Sequence, residues 1–272
     1  MKKEANFGPH TSSNPLIDRF RAMDRWWMLV VVVVILVVLL ITLMPDPYLR
    51  ILLFVRDGIW VTFYTTLISF TLVLFLGLIG GLGRISHNKI INGIASVYVE
   101  VVRGVPLLVQ LIFWYFAFPS LFQDLGDAWN IEALSTYRAN PLVMAILGLT
   151  FCYSAYMSEV YRAGIESIPK GQMEAARSLG MNYFQAMWYV ILPQAFRVIL
   201  PPVGNEFVTL LKDSSLVSVV AVADMTRRGR EFMAANFIPV QTWVMVALLY
   251  LILTLIAARV VCWIEKRSNF GR

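Results

Sequence analysis

Charge is scarce in this chain: Asp, Glu, Lys and Arg make up 15% of its 272 residues, against 58% hydrophobic side chains. Too few polar groups remain to coat a soluble globule of that size, which excludes a water-soluble domain and makes the protein integral to a membrane. Cysteine is scarcer still. Cys152 and Cys262 both sit inside apolar runs, where a thiol acts as a small buried side chain, and they form no disulfide framework or metal-ligand pattern. There is no internal repeat, no long soluble stretch, and no low-complexity tract beyond the valines at 30–34. The basic excess, net charge +6, gathers at the ends of apolar runs, where it sets topology, so nucleic acid is not an expected partner.

What is abundant is apolar length. Trp26 to Met44 carries no charge, and its nineteen residues at about 1.5 Å each reach roughly 28 Å, close to the hydrocarbon thickness of a bilayer. Valine runs favour strands in water, but a lone strand in lipid leaves its peptide groups unpaired, so this segment is predicted helical. A cleaved signal peptide is the alternative; the 25 residues before it and the sequence PDPYLR after it, without small residues for cleavage, argue for a retained span. Its entrance carries Arg19, Arg21 and Arg25, which places residues 1–25 in the cytoplasm.

A second span is predicted from Ile59 to Leu82, with Gly77, Gly80, Gly81 and Gly83 allowing close helix approach, and Arg84, His87 and Lys89 mark a cytoplasmic turn. An interfacial stretch, Ile90 to Val102, leads to a third span from Pro106 to Leu121. Residues 122–140 hold Asp124, Asp127, Glu132 and Arg138 and are expected outside. The fourth span is Pro141 to Ile165, the fifth runs from Pro193 toward Val222, and the sixth is Val240 to Ile264, with Lys266, Arg267 and Arg272 holding the cytoplasmic tail, residues 266–272, inside. Arg227, Arg228 and Arg230 fall on the outer side and depart from the charge rule.

One stretch breaks the apolar pattern: EAARSLGMNYFQAMWYVILPQAFRVILPP, Glu174 to Pro202. QMEAARSL favours helix, Gly180 follows where a left-handed cap needs a residue without a β-carbon, and Asn182 with Gln185 three residues on predicts a capping box. Two short helices bent at a glycine are therefore expected in the cytoplasm before Pro193 starts the next span. Periodicity alone leaves open an amphipathic helix resting on headgroups, with Met173, Ala176, Gly180, Phe184 and Met187 as its apolar face.

The spacing Glu174, Ala175, Ala176, three residues, Gly180, nine residues, Val190, one residue, Leu192 and Pro193 resembles the EAA loop of bacterial ABC importer permeases, with Val190 in place of the family's isoleucine. VRGVPLLVQ (102–110), AYMSEVYRAGIESIPKGQMEAARSLGM (155–181) and NEFVTLLKDSSLVSVVAVADM (205–225) resemble the polar amino acid subfamily, of histidine/glutamine/glutamate type, over residues 57–265. The resemblance implies an all-α, type I importer permease core of five spans with a coupling loop at about 170–192, to which this chain adds one N-terminal span at 26–44. It further implies a bacterial inner-membrane subunit with no cofactor and no enzymatic activity of its own. Its partners would be an ABC ATPase docking at Glu174, Ala175, Ala176, Gly180, Leu192 and Pro193, an identical or homologous second permease, an external binding protein, and an amino acid such as glutamate, glutamine or aspartate. The sequence contains no GxxxxGK[ST] loop, so nucleotide chemistry falls to the partner.

Charges inside spans cost about 2.5 to 3.5 kcal/mol each on insertion scales and mark candidate function. Glu159 and Arg162, three apart on one helical face, either pair to hold helices together or line a path. Lys212, Asp213, Ser214 and Ser215 form a polar run read as lying mid-span, which needs water or substrate to satisfy it and which in the family lines the translocation pathway. Ser154, Ser158, Asn205 and Thr209 join these as candidates whose hydroxyls and amide suit a zwitterion. A secondary transporter is the competing class, but the two similar halves with broken helices that would mark it are not evident. A channel or scaffold would leave the EAA-like stretch without a role, and within the family a quaternary-amine permease remains an alternative.

Overall fold

The computed structural model describes residues 25–268, so Arg19, Arg21 and Arg272 lie outside the described residues. These residues are almost wholly helical, with no strand among them. A first helix, α1 (Arg25–Leu43), turns at Met44 directly into α2 (Pro45–Ile85). α3 (Lys89–Gly104) starts on an Asn88 cap whose side chain accepts from the Ile90 and Ile91 amides. α4 (Leu107–Ile112), a π-helical turn (Phe113–Ala117) and α5 (Phe118–Trp129) form one continuous rod, and a short α6 (Glu132–Ser135) precedes α7 (Pro141–Glu166). After α7 come α8 (Lys170–Ser178), α9 (Tyr183–Ala186), a second π turn (Met187–Ile191) and α10 (Leu192–Asp213). A 3₁₀ segment (Ser214–Val220), α11 (Met225–Asn236) and α12 (Pro239–Ser268) complete the chain. Five helical stretches are long and apolar enough to cross a membrane (45–85, 107–129, 141–166, 183–220 and 239–267), and α1 is a shorter apolar helix beside them.

In the first half of the chain two predicted span limits change. The second helix begins at Pro45 rather than Ile59, and three of its early charges are paired within the fold: Arg50 pairs with Asp46 at 3.3 Å and donates to Asn236, and Asp57 pairs with Arg228 at 2.6 Å. The third continues to Trp129 rather than stopping at Leu121, so residues 122–129 of the segment expected outside are helix. The Asn130 amide and φ of 52° at that residue end it in a left-handed cap. The arginines that depart from the charge rule sit on α11 in a network, with Arg227 and Arg228 each 2.9 Å from Glu231 and Arg230 donating to Ser218 Oγ at 3.1 Å.

Both π turns end two residues before a proline, Pro119 and Pro193. Proline has no N–H to donate to the carbonyl four residues back, and its ring crowds that carbonyl; widening the preceding turn relieves the clash and keeps the rod continuous. The core lies where α2 and α7 cross. A β-carbon on Gly77 would stand 2.6 Å from Met157 Cβ, so the glycine is what lets these backbones approach. Val73, Leu111, Leu149, Met157, Leu210 and Val217 close the core around that crossing. α1 is held through Val30 and Val33 against Leu255 of α12.

Candidate functional site

The anomalous stretch forms an elbow. α8 ends in a Schellman turn: the Gly180 amide donates to the Arg177 carbonyl at 3.0 Å and the Met181 amide to the Ala176 carbonyl at 3.2 Å. Gly180 has φ +84°, the left-handed conformation that its position after QMEAARSL predicts. α9 starts on the predicted capping box, with the Gln185 amide donating to Asn182 Oδ1 and the Asn182 amide to Gln185 Oε1, each at 2.9 Å. One expectation is corrected here. The second helix does not end before Pro193; it passes through the π turn into α10, so the elbow is one end of the fifth span itself.

Glu174, Ala175 and Gly180 are exposed on the elbow, whereas Ala176 is buried. Leu192 and Pro193 lie at its base and line an apolar cavity with Tyr161, Trp188 and Phe196. Leu179 and Phe184 are each 82% exposed and Trp188 69%, a concentration of large apolar side chains around the turn. The candidate lipid-facing stripe does not form one face, since Ala176 points into the fold while Phe184 points out.

The second group of predicted residues divides. Thr209 and Asp213 of α10 line a cavity of about 220 Å³ with Leu107, Cys152, Tyr153, Tyr156 and Glu206. An adjoining cavity of about 320 Å³ is lined by Glu159, Tyr156 and Val160 of α7, Pro202 and Glu206 of α10, and Arg103 of α3. Tyr156 and Glu206 belong to both, so the two form one groove between α7 and α10. Tyr153 donates to Asp213 Oδ2 at 2.6 Å, and the Arg103 guanidinium lies 5.2 Å from the Tyr156 ring centroid. Glu159 anchors one end of the groove, accepting from Arg84 at 2.6 Å and from Arg162 Nε at 3.1 Å, while Arg162 also pairs with Glu166. Glu159 thus joins α7 to α2 and also borders the groove.

Lys212 and Asn205 are exposed, and no ion pair joins Lys212 to Asp213 among the described residues. The polar run is also not mid-helix, because Asp213 is the last α-helical residue and the chain tightens to 3₁₀ at Ser214. Ser214 is buried, with Oγ donating to the Leu211 carbonyl at 2.7 Å. Ser154 and Ser158 are buried outside the groove lining, Ser158 donating to the Ser154 carbonyl at 2.7 Å and facing Gly80 of α2.

Sequence reasoning passed over Arg103, Tyr153, Tyr156 and Glu206. The signal for Glu206 was in the sequence: Pro202, Glu206, Thr209 and Asp213 follow the spacing of one helical face, as do Cys152, Tyr156, Glu159 and Ala163. Gln110 explains part of the VRGVPLLVQ wording. Its amide donates to the Val102 carbonyl at 2.8 Å and the Val105 carbonyl at 2.9 Å, bridging the break in the helix at Pro106.

Comparison with known proteins agrees with this architecture. The family model for the binding-protein-dependent transport system inner membrane component matches residues 73–269. The glutamine transport system permease protein GlnP of Escherichia coli (strain K12) is 36% identical over 213 residues, covering 78% of this chain and 92% of that protein. The L-cystine transport system permease protein TcyB of Bacillus subtilis (strain 168) is 37% identical over 213 residues, covering 78% and 85%. A crystal structure described as an amino acid ABC transporter with histidines aligns with TM-score 0.71 at 34% identity, over 80% of this chain and 96% of that one. With its elbow, its spans and a match over most of its length, the chain belongs to the family of inner-membrane permease components of binding-protein-dependent transport systems.

Proposed function

We propose that this permease passes a polar amino acid across the inner membrane by alternating access, driven by an ABC ATPase docked on the elbow at Glu174, Ala175, Gly180 and the exposed apolar side chains beside them. An external binding protein delivers the substrate, and a second permease, identical or homologous, completes the path. Relatives named for glutamine and cystine support the substrate class.

The observation that carries the reading is the groove between α7 and α10. Glu206 and Asp213 lie on one helical face opposite Tyr153 and Tyr156, with Asn205 and Lys212 exposed alongside. In lipid each such charge costs about 2.5 to 3.5 kcal/mol, so the face requires water or another protein surface against it. A second permease presenting the same face encloses an aqueous path with carboxylates, phenols and a guanidinium, groups that match an ammonium and a carboxylate. The test is uptake into vesicles holding the co-purified complex, with glutamate, glutamine, arginine and glycine betaine as competitors. Uptake that needs internal ATP and is competed by an amino acid is the expected result. Uptake abolished only by collapsing an ion gradient would refute it in favour of a secondary transporter, and competition by glycine betaine alone would move the substrate to a quaternary amine.

A further inference from the structure

The charges that line the groove between α7 and α10 do not balance, and the imbalance bears on which amino acid it takes. Glu159 is neutralised, since Arg84 and Arg162 both pair with it and Arg162 divides its charge with Glu166. Three charged side chains are left facing the two cavities: Arg103, Glu206 and Asp213. Among the described residues no ion pair includes any of them. Arg103 is near enough for its charge to act on Glu206, as that of Asp213 does, but its guanidinium is laid over the Tyr156 ring. Of the four or so hydrogen bonds a carboxylate can accept, Asp213 takes one from a side chain, the Tyr153 hydroxyl, and Glu206 takes none among the described residues. Lys212 does not redress this, because it points about 100° away from Asp213 along the helix, is exposed, and lines neither cavity. The groove therefore holds two half-buried carboxylates against one guanidinium.

We propose that the groove selects an amino acid with a cationic side chain, of the lysine or arginine kind, over neutral and acidic ones. The selection rests on the proposed passage of an amino acid along this groove and names the class that passes. Every amino acid brings one carboxylate and one ammonium, which Arg103 and one of the two groove carboxylates match. With a neutral side chain the other carboxylate stays half-buried and unpaired, and with an acidic one a third carboxylate joins it; only a second cation on the substrate pairs both. The spacing fits as well. Glu206 and Asp213 are seven positions apart on α10, about 10 Å along its axis. In an extended lysine or arginine the two cationic groups stand about 6 to 7 Å apart by bond lengths, and a charge-assisted hydrogen bond of about 2.8 Å at either end makes up the difference. Leu107, Tyr153 and Tyr156 line the cavity beside these carboxylates and offer apolar surface to the methylene stem of such a side chain.

The experiment uses the full-length chain with the subunits that co-purify with it, in nanodiscs and without the external binding protein, so that selection by the groove is read apart from selection at delivery. Binding of radiolabelled lysine, arginine, glutamine and glutamate is measured by equilibrium dialysis. Lysine and arginine are expected to bind about tenfold more tightly than glutamine, as one added charge-assisted contact implies, and glutamate more weakly than glutamine. Glu206→Gln keeps the shape of the side chain and strands no hydrogen-bond partner among the described residues, so it should fold normally and cost lysine about tenfold. Glutamine should change by less than about threefold, because Asp213 still serves its ammonium. Asp213→Asn should repeat that split, Glu206→Asp should keep the wild-type order, and Arg103→Gln should weaken all four ligands alike. Asp124→Asn, an exposed acid outside the groove, should alter none of them. Glutamine or glutamate bound more tightly than lysine by the wild type, or a lysine preference that survives both Glu206→Gln and Asp213→Asn, would overturn the cationic selection and leave the passage of amino acids standing. Failure of all four to bind would overturn the proposed function itself.

Discussion

Gly180 offers a sharp test of how the elbow works, because its surroundings separate two costs that usually come together. No atom beyond its chain neighbours lies within 4 Å of the position a β-carbon would take, so a side chain meets empty space. Its φ of +84° remains, and a residue with a β-carbon pays about 1 to 2 kcal/mol to hold it. The expected penalty is therefore one of backbone strain and nearly independent of side-chain size. Gly180→Ala and Gly180→Leu should act alike, and Gly180→Asn, which tolerates the left-handed region, should stay nearest the wild type. If relaxing the Schellman turn re-aims α8 against α9, a cost of that size lowers the population of the docking geometry by about 5- to 30-fold. The assay is co-purification of the ATPase with each variant at equal membrane abundance, together with ATP-dependent uptake. Unchanged insertion with matched losses in Ala and Leu supports the reasoning. Asn as damaging as Leu, with Ala harmless, would refute it, because size and not φ would then govern.

Other expected outcomes concern the rest of the chain. Asp213→Ala, which strands the Tyr153 hydroxyl, should lower uptake by about tenfold or more, since losing a buried partner costs about 1 to 3 kcal/mol, whereas exposed Lys212→Ala should act more weakly; equal effects in uptake assays would return the two to a paired role. Gly58→Ala should destabilise strongly because the new β-carbon would stand 2.8 Å from the Met225 backbone, while Gly93→Ala, with nothing within 4 Å, should be neutral or gain up to about 1 kcal/mol; thermal melts of the two in detergent check the contrast. Arg228→Gln should cost under about 1 kcal/mol, since the side chains of Arg228 and Asp57 are 31% and 52% exposed. Hydrogen bonding from Arg227 holds the Glu231 carboxyl below its ordinary value, so this stabilisation is fully present above the usual carboxylate range and lost as pH falls through the lowered value; melts of wild type and Glu231→Gln should therefore converge in acid and separate toward neutrality. Reporters fused after Met44 and near Asn140 should read outside, and those at 84–89 and after Arg267 inside; an outside reading at the carboxyl terminus would remove the six-span arrangement.

The elbow was legible in the sequence because every device in it is local. Gly180, Asn182 and Gln185 act on amides within a few positions, so spacing alone specifies the turn and the capping box. Span limits were legible only where charge and helix ended together. At Arg50 and Asp57 they did not, since the partners Asn236 and Arg228 lie far along the chain and no local pattern announces them. The same distance hid the groove. Thr209 and Asp213 were visible as polar groups in an apolar span, but Tyr153 and Tyr156 read as ordinary aromatics until α7 was placed beside α10. Adjacent opposite charges at Lys212 and Asp213 suggested a pair, yet neighbours along a helix point about 100° apart, and the fold gives Asp213 a tyrosine instead.

The continuity of α9 with α10 through a π turn has a mechanical consequence. Tyr183 at the elbow and Asp213 at the groove sit on one helical rod of about 45 Å, so a push delivered at one end arrives at the other without crossing a loop. The rod is not uniformly stiff. It yields most readily at the π turn, where the hydrogen-bond ladder is wider, and at Pro201 and Pro202, where two successive amide donors are missing and the carbonyls of Arg197 and Val198 lack their usual partners. Between those two soft points lie about two to three turns of regular helix, a stiff crank. A displacement of the elbow is therefore expected to bend the rod at a fixed place, and the second of those places is Pro202, which lines the groove itself.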